Sequence, residues 1–292
     1  MKKIRVIRIR RGAAAGLAAL LIAALSLAAA AARAAVRPVS ANAGVAVPVL
    51  MYHSVLKDPA RAGKYVVSPA QLAQDLDYLT AHGYTSVTMT EVIASVSGGA
   101  PLPEKPVVIT FDDGYYNNYL YAYPLLRERG MKAVISIIGR YTDLFSERDE
   151  NNDYYSHCTW DQLREMQQSG LIEIQNHTYN LHTYDRSRHG CASLKWETMD
   201  DYRRTVGADI QKLQQRIRDE LGSTPNTMVY PFGSFTERSE QLVRELGFSA
   251  SLSCESGVTH VTGPESLFGM KRFLRPAGTD SASFFASIGL NR

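Results

Sequence analysis

Between residues 46 and 275 the chain alternates short, continuous apolar runs with longer stretches whose apolar side chains recur every three to four positions. The runs are strand candidates and the periodic stretches helix candidates. Residues 46–52 form the first run, and Ser68-Pro69 supplies a cap and a first helical residue for a helix to about residue 81. Residues 84–89 alternate, Thr90 offers a cap for a short helix, and 106–111 (PVVITF) reads as a buried strand from its β-branched content. A helix over 117–129 closed by Gly130 follows, then a strand over 132–138 (KAVISII), a helix from Thr159 to Gln168 and a strand over 171–175 (LIEIQ). The longest periodic stretch is 197–221; strands over 227–230, 248–253 and 270–274 and a helix over 237–246 complete the pattern. The polar segments 140–157 and 183–196 read as long loops. Strand followed by helix, many times over, implies an α/β fold with a parallel sheet, open or closed as a barrel.

The first 37 residues depart from this pattern. They carry Lys2, Lys3, Arg5, Arg8, Arg10, Arg11, Arg33 and Arg37 and no acidic residue, and removing those eight charges from the net +3 leaves −5 for the remainder. The basic balance therefore belongs to a leader, and no nucleic-acid partner is expected. An uncharged, Ala- and Leu-rich run over 12–32 follows six positive charges, the order of an export signal, with Ala32-Arg33-Ala34 as a cleavage candidate. The run is also long enough to anchor the chain in a membrane. The expected organisation is a signal peptide or membrane anchor over 1–35, a linker over 36–45 and one domain over 46–290. Aromatic content of 9% and charge of 21% exclude a disordered or collagenous chain. Three cysteines permit at most one internal disulfide; buried free cysteines are one reading, and Cys191 with Cys254 is the candidate pair for the other because both follow strand candidates.

Active sites of parallel α/β folds sit at the carboxyl ends of the strands. Four such junctions are rich in chemistry: Met51-Tyr52-His53, Asp112-Asp113-Gly114, the segment 176–182 (NHTYNLH) and Pro231-Phe232-Gly233. Adjacent aspartates on a strand point to opposite faces, but a turn into Gly114 lets both reach one cavity, where one can bind a metal while the other handles protons. An isolated Asp-Asp-Gly would be an ordinary capped turn. His177 and His182 change that balance, because two imidazoles and a carboxylate are a common donor set for Zn²⁺ or a similar ion. Their spacing of five does not share a helix face, so both belong on a loop or strand end.

TFDDG at 110–114, NHTYNLH at 176–182 and YPFG at 230–233, in that order, resemble the polysaccharide deacetylases of carbohydrate esterase family four, the NodB-homology domain. The likeness covers roughly residues 47–275. MYHSV at 51–55 and the four-residue gap between the histidines are similar to its branch of exported poly-N-acetylglucosamine deacetylases. The resemblance implies a single-domain, distorted (β/α) barrel that removes N-acetyl groups from GlcNAc residues of an extracytoplasmic polysaccharide. It implies Asp113, His177 and His182 as ligands of a divalent metal, Zn²⁺ first and Co²⁺, Ni²⁺ or Mn²⁺ as alternatives. It further implies Asp112 as general base, the Phe232 N–H as an oxyanion donor, and Pro231, Gly233 and His53 as substrate contacts. The expected enzyme is a monomer, secreted or held at the membrane only through its N-terminal segment.

Two departures matter. Val229 stands where many members have an arginine that orients the base, and a C-terminal Leu-x-His, the family's source of a general acid, is not evident. Arg272 is the candidate substitute, with Arg275 as the alternative; a structural ion pair is the competing role for either. His53 and His260 are the candidate acids, or protonated Asp112 returns its own proton. Tyr115, Tyr116, Tyr119, Tyr121 and Tyr123 read mostly as packing, as do Trp160 and Trp196, and His157 and His189 receive no role. A glycoside hydrolase would need two spaced carboxylates and would not explain the histidines. A binding module would not need the full acid and imidazole set.

Overall fold

The computed structural model describes residues 44–183 and 188–291. The expected leader, and all but the end of the expected linker, lie outside them. Among the described residues no helix is long and apolar enough to cross a membrane.

The chain opens with β1 (Val45–Val47), β2 (Val49–Tyr52), β3 (Ser54–Val55), β4 (Val66–Val67), α1 (Pro69–Ala81), β5 (Thr85–Ser86), α2 (Met89–Val96) and β6 (Pro106–Phe111). A π-helical turn, Asn118–Ala122, leads into α3 (Tyr123–Glu128), then β7 (Ala133–Ile137), α4 (Gly139–Arg148), α5 (Trp160–Gln168) and β8 (Ile172–Asn176). After α6 (Met199–Tyr202) and a second π turn come α7 (Ala208–Leu221), β9 (Thr227–Val229), α8 (Glu237–Glu245), β10 (Ala250–Leu252), β11 (Thr259–Val261), β12 (Phe273–Leu274) and α9 (Ser281–Ser287). The main sheet runs β10-β9-β8-β7-β6-β2-β12, all parallel, with β5 also pairing to β6. It curls into a half-barrel. A parallel bridge between Leu252 and Met270, with backbone bonds Met270 N–H to Ser251 C=O (2.9 Å) and Ser253 N–H to Met270 C=O (2.9 Å), draws its last strand toward the chain entering β12.

Side-chain alternation divides this sheet into two faces. Val107, Ile109 and Phe111 of β6, Ala133, Ile135 and Ile137 of β7, and Ile172 and Ile174 of β8 pack outward with Leu72, Leu76, Leu79, Leu126 and Leu163 of the helices. Val49, Val108, Val134, Val229 and Leu252 fill the interior. Nearly every strand residue is buried, which is why the strands read as continuous apolar runs.

Several local expectations change. Pro48 divides the first run into β1 and β2. Thr88, not Thr90, caps α2: its hydroxyl accepts the Glu91 N–H (3.2 Å) while the Glu91 carboxylate accepts the Thr88 N–H (2.9 Å). Residues 140–148 of the expected loop are helical, in α4; this helix buries only Gly139, Thr142 and Phe145 and shows a polar face elsewhere, so its apolar signal is weak. The long helix begins at Met199 behind a Thr198 cap and is interrupted by a π turn at Arg203–Gly207. β11, antiparallel to β1, and α9 were not expected. Of the two cysteine readings, the candidate Cys191–Cys254 disulfide is absent and all three cysteines are free. Cys191 is sealed in the cluster around Tyr202 and Tyr230, whereas Cys254 opens toward the barrel end.

Candidate active site

Strand alternation delivers polar side chains to one end of the half-barrel. Past Val108, the inward positions of β6 are Thr110 and then Asp112; on β7 the inward position past Val134 is Ser136. Around β12, Phe273 joins the outer core, so Arg272 and Leu274 lie on the opposite face and Arg275 shares the outer one.

By alternation alone Asp113 would point away from Asp112. Instead Asp113 (φ 71°) and Gly114 (φ 70°) are both left-handed, and the Asp113 carboxylate returns to the same cavity. Aspartate tolerates this region better than most residues. Gly114 is required there, since a Cβ would lie 2.8 Å from Ile137 Cγ2. A second left-handed residue, Thr178 (φ 71°), follows His177. The loop beyond is held by Asn176 Oδ1, which accepts the Thr178 N–H (2.8 Å), and by the Asp209 carboxylate of α7, which accepts the N–H groups of Tyr179 (2.8 Å) and Asn180 (3.0 Å). Burial pushes the Asp209 carboxyl up to about 6, against those two bonds.

Asp113, His177 and His182 each offer one ligand atom, and the three atoms lie within 4.8 Å of one another. His177 Nε2 is 3.5 Å and His182 Nε2 3.2 Å from Asp113 Oδ1, an oxygen that is buried and receives no hydrogen bond of good geometry. His177 Nδ1 is 2.7 Å from the Val229 carbonyl, which can only accept, so Nδ1 carries a hydrogen. In neutral His177 the Nε2 lone pair then faces a carboxylate oxygen. Burial lowers the His177 pKa, but Asp113 and Asp112 more than offset it; burial and then His177 push His182 down to about 4. One proton on His177 can satisfy one of these contacts, and His182 does not readily supply another. A divalent cation satisfies all three donors together, so the residues fit such an ion.

Asp112 is arranged differently. Its Oδ1 accepts from Arg272 Nη1 (2.8 Å) and Ser136 Oγ (3.0 Å). Arg272 is fully buried, with Nε donating to the Ser253 carbonyl (2.7 Å) and Nη1 also 3.3 Å from Thr110 Oγ1. Burial raises the Asp112 pKa, but Arg272, followed by His177 and His53, holds it well below the usual carboxylate range.

Asp112, Asp113, His177 and His182 border a cavity of about 750 Å³ that also includes His53, Tyr65, Tyr115, Tyr154, His189 and Phe232. With the fold and this geometry in view, comparison with known proteins finds that a model for the family described as polysaccharide deacetylase matches residues 99–251, slightly more than half of the chain. The chain belongs to the polysaccharide deacetylase family. It is 28% identical over 237 residues to the poly-β-1,6-N-acetyl-D-glucosamine N-deacetylase of Escherichia coli (strain K12), covering 75% of this chain but 35% of that protein. The chain thus spans about a third of that relative. Among solved structures, a de-N-acetylase from Aggregatibacter actinomycetemcomitans aligns with a TM-score of 0.71 at 26% identity, covering 83% of this chain and 99% of that one. IcaB from Ammonifex degensii aligns at 0.66 and 28%, covering 80% and 93%. The curled parallel half-barrel is the fold shared with these two proteins.

Within this family site, the structure separates residues that the sequence left as alternatives. Arg272 reaches Asp112, whereas Arg275 pairs with Asp75 on the outer face. His53 lines the cavity; burial lowers its pKa while Asp112 and Asp113 oppose that. His260 is exposed on β11 and does not line the cavity. Pro231 and Gly233 shape the turn behind Phe232 rather than the cavity wall: Gly233 is left-handed, and a Cβ there would lie 2.6 Å from the Cys254 Cβ. Phe232 is itself left-handed (φ 60°), lies 4.2 Å from the His182 ring and stacks on His189 at 4.6 Å. Tyr115 lines the cavity, while Tyr119, Tyr121 and Tyr123 pack on the outer core. Trp160 is buried and bonded to Asp143, and Trp196 is exposed. The sequence reading missed Ser136, although a lone serine inside the run KAVISII marks an inward polar position.

Proposed function

We propose that this polysaccharide deacetylase family member is a divalent-metal-dependent hydrolase of N-acetyl groups on GlcNAc residues of an extracytoplasmic polysaccharide, releasing acetate. The observation that carries the reading is the convergence of three buried or half-buried ligand atoms beside a separately held Asp112. Asp113, His177 and His182 are the proposed ligands, for Zn²⁺ first and for Co²⁺, Ni²⁺ or Mn²⁺ with the same donor set. A cation held there supplies Lewis acidity toward the acetamide oxygen and activates water near neutral pH. Asp112 takes a proton from the attacking water and, once protonated, returns it to the leaving nitrogen. Arg272 keeps Asp112 charged and oriented, the Phe232 backbone N–H stabilises the oxyanion, and His53 contacts substrate. The name of the E. coli relative supports a poly-N-acetylglucosamine type of polymer as substrate. Residues 46–290 form the catalytic domain of a monomer, and the basic, apolar segment 1–35 delivers it across the cytoplasmic membrane or anchors it there.

Acetate release from a panel of defined N-acetylated glycans tests the reading. The metal-loaded chain is expected to release acetate, to stop with chelator and to recover with Zn²⁺. Asp112→Asn is expected to lose at least about a hundredfold in rate while retaining its metal. No acetate from any glycan by metal-loaded protein would defeat the proposal.

A further inference from the structure

His157 is unused by the reaction proposed above, yet it is nearly sealed from solvent, at 6% exposure. Its ring lies between Tyr115, at 4.8 Å, and Tyr141, at 4.6 Å, with Phe145 at 5.7 Å. A phenylalanine would suit such an aromatic cage equally well. What a histidine adds is one polar contact: Nδ1 lies 2.9 Å from the backbone carbonyl of Asp113, which can only accept, so the imidazole donates.

That carbonyl belongs to the left-handed residue that redirects the Asp113 carboxylate. The surrounding segment grips the same turn. Tyr116 N–H donates to the Ser156 carbonyl (2.8 Å), Cys158 N–H donates to the Gly114 carbonyl (2.8 Å), and Tyr115 and His157 form an antiparallel bridge. The segment 156–158 therefore braces residues 113–116 through backbone bonds on both sides, with the His157 side chain closing the brace at Asp113. Without the imidazole donor a buried carbonyl loses its partner, and the strained turn loses the bond nearest its carboxylate-bearing residue.

We propose that His157 is a positioning residue for Asp113: by donating to the Asp113 carbonyl it holds the left-handed turn that aims the carboxylate at His177 and His182. The inference rests on the metal-site reading above. It gives a segment between two helices, remote in sequence from every expected ligand, control over the geometry of the donor set.

The test uses the full chain, stripped with chelator and titrated with Co²⁺, with calorimetry and the visible absorption of bound Co²⁺ as readouts. His157→Phe keeps the ring and removes the donor; His157→Asn loses the ring but can present an amide N–H near the Nδ1 position. The expected order is wild type tightest, His157→Asn close behind, and His157→Phe weaker by about tenfold or more with an altered Co²⁺ spectrum. Melting of the metal-free variants reports packing separately. A role in packing alone predicts the reverse order, with His157→Phe equal to wild type and His157→Asn weakest, and that result overturns the inference. If His157→Phe does not fold, His157→Leu against His157→Asn supplies the same ordering. Wild type that binds no Co²⁺ defeats the metal reading and this inference with it, whereas equal tight binding by wild type and the donor-less variant defeats the inference alone.

Discussion

Arg272 and Arg275 flank β12, three residues apart, and each is completely buried against an aspartate. On the outer face, both oxygens of Asp75 are occupied. Oδ2 accepts from Arg275 Nε (2.8 Å) and Tyr52 Oη (2.9 Å), and Oδ1 from Arg275 Nη2 (3.0 Å) and Ser281 Oγ (2.6 Å). Arg275 also donates from Nη1 to the Pro276 carbonyl (2.7 Å) and from Nη2 to the Thr279 carbonyl (2.9 Å). Burial and the Asp75 charge push the Tyr52 hydroxyl well above its ordinary value, so it stays a donor. Every strong group in this network is paired, and it ties β2, α1 and α9 together. On the inner face, among the described residues, the side-chain bonds to Asp112 arrive at Oδ1, and the carboxylate borders a cavity. The same ion pair is structural where it is saturated and available for chemistry where one oxygen is left over. A buried pair is weak evidence for stability in itself; its remaining hydrogen-bond capacity distinguishes the two.

Substitutions at three positions can break or sharpen this contrast. Arg275→Ala strands Asp75 in the core and should cost about 3–5 kcal/mol of folding stability, measured by urea unfolding. Acetate release per folded molecule should survive, and a loss under about 1 kcal/mol would show that the outer pair is not structural. Arg272→Lys keeps a charge but not the planar fork, so Asp112 is no longer held in place. It should lower kcat for acetate release about a hundredfold with KM changed far less, which steady-state kinetics on a soluble glycan would read. If Arg272→Lys and Arg275→Lys lower kcat alike, the division between faces is wrong. Ser136→Ala removes the weaker partner of Asp112 and should cost about 1 kcal/mol, roughly fivefold in kcat, with little change in melting temperature. An unchanged kcat would leave Arg272 as the sole positioning group.

Much of this was legible in the chain itself. The strand β6 is bounded by the same residues that the run PVVITF marks, and the helix after Ser68-Pro69 begins where that cap and proline place it. Local signals such as these depend on neighbours in sequence, and so do the misplaced ones: the Thr88–Glu91 box was written in the chain and outweighs Thr90. The weakly apolar 139–148 helix was harder, because packing against a neighbour, rather than intrinsic pattern, makes it stable. The choice between Arg272 and Arg275 lay partly in view, since a separation of three puts two strand residues on opposite faces; which face was inward was not.

The sequence by itself determined the alternation of strand and helix, the shared face of Val108, Thr110 and Asp112 once a strand is granted, and the acid and imidazole types that meet at strand ends. Those follow from periods of two and 3.6 and from side-chain chemistry, which a linear chain carries. Tertiary structure alone decided that the Val229 carbonyl orients His177, that His157 reaches Asp113, and that Cys191 and Cys254 remain apart. Each of these rests on contacts between segments distant in sequence. Such contacts exist only after the sheet has curled and the outer helices have closed on it.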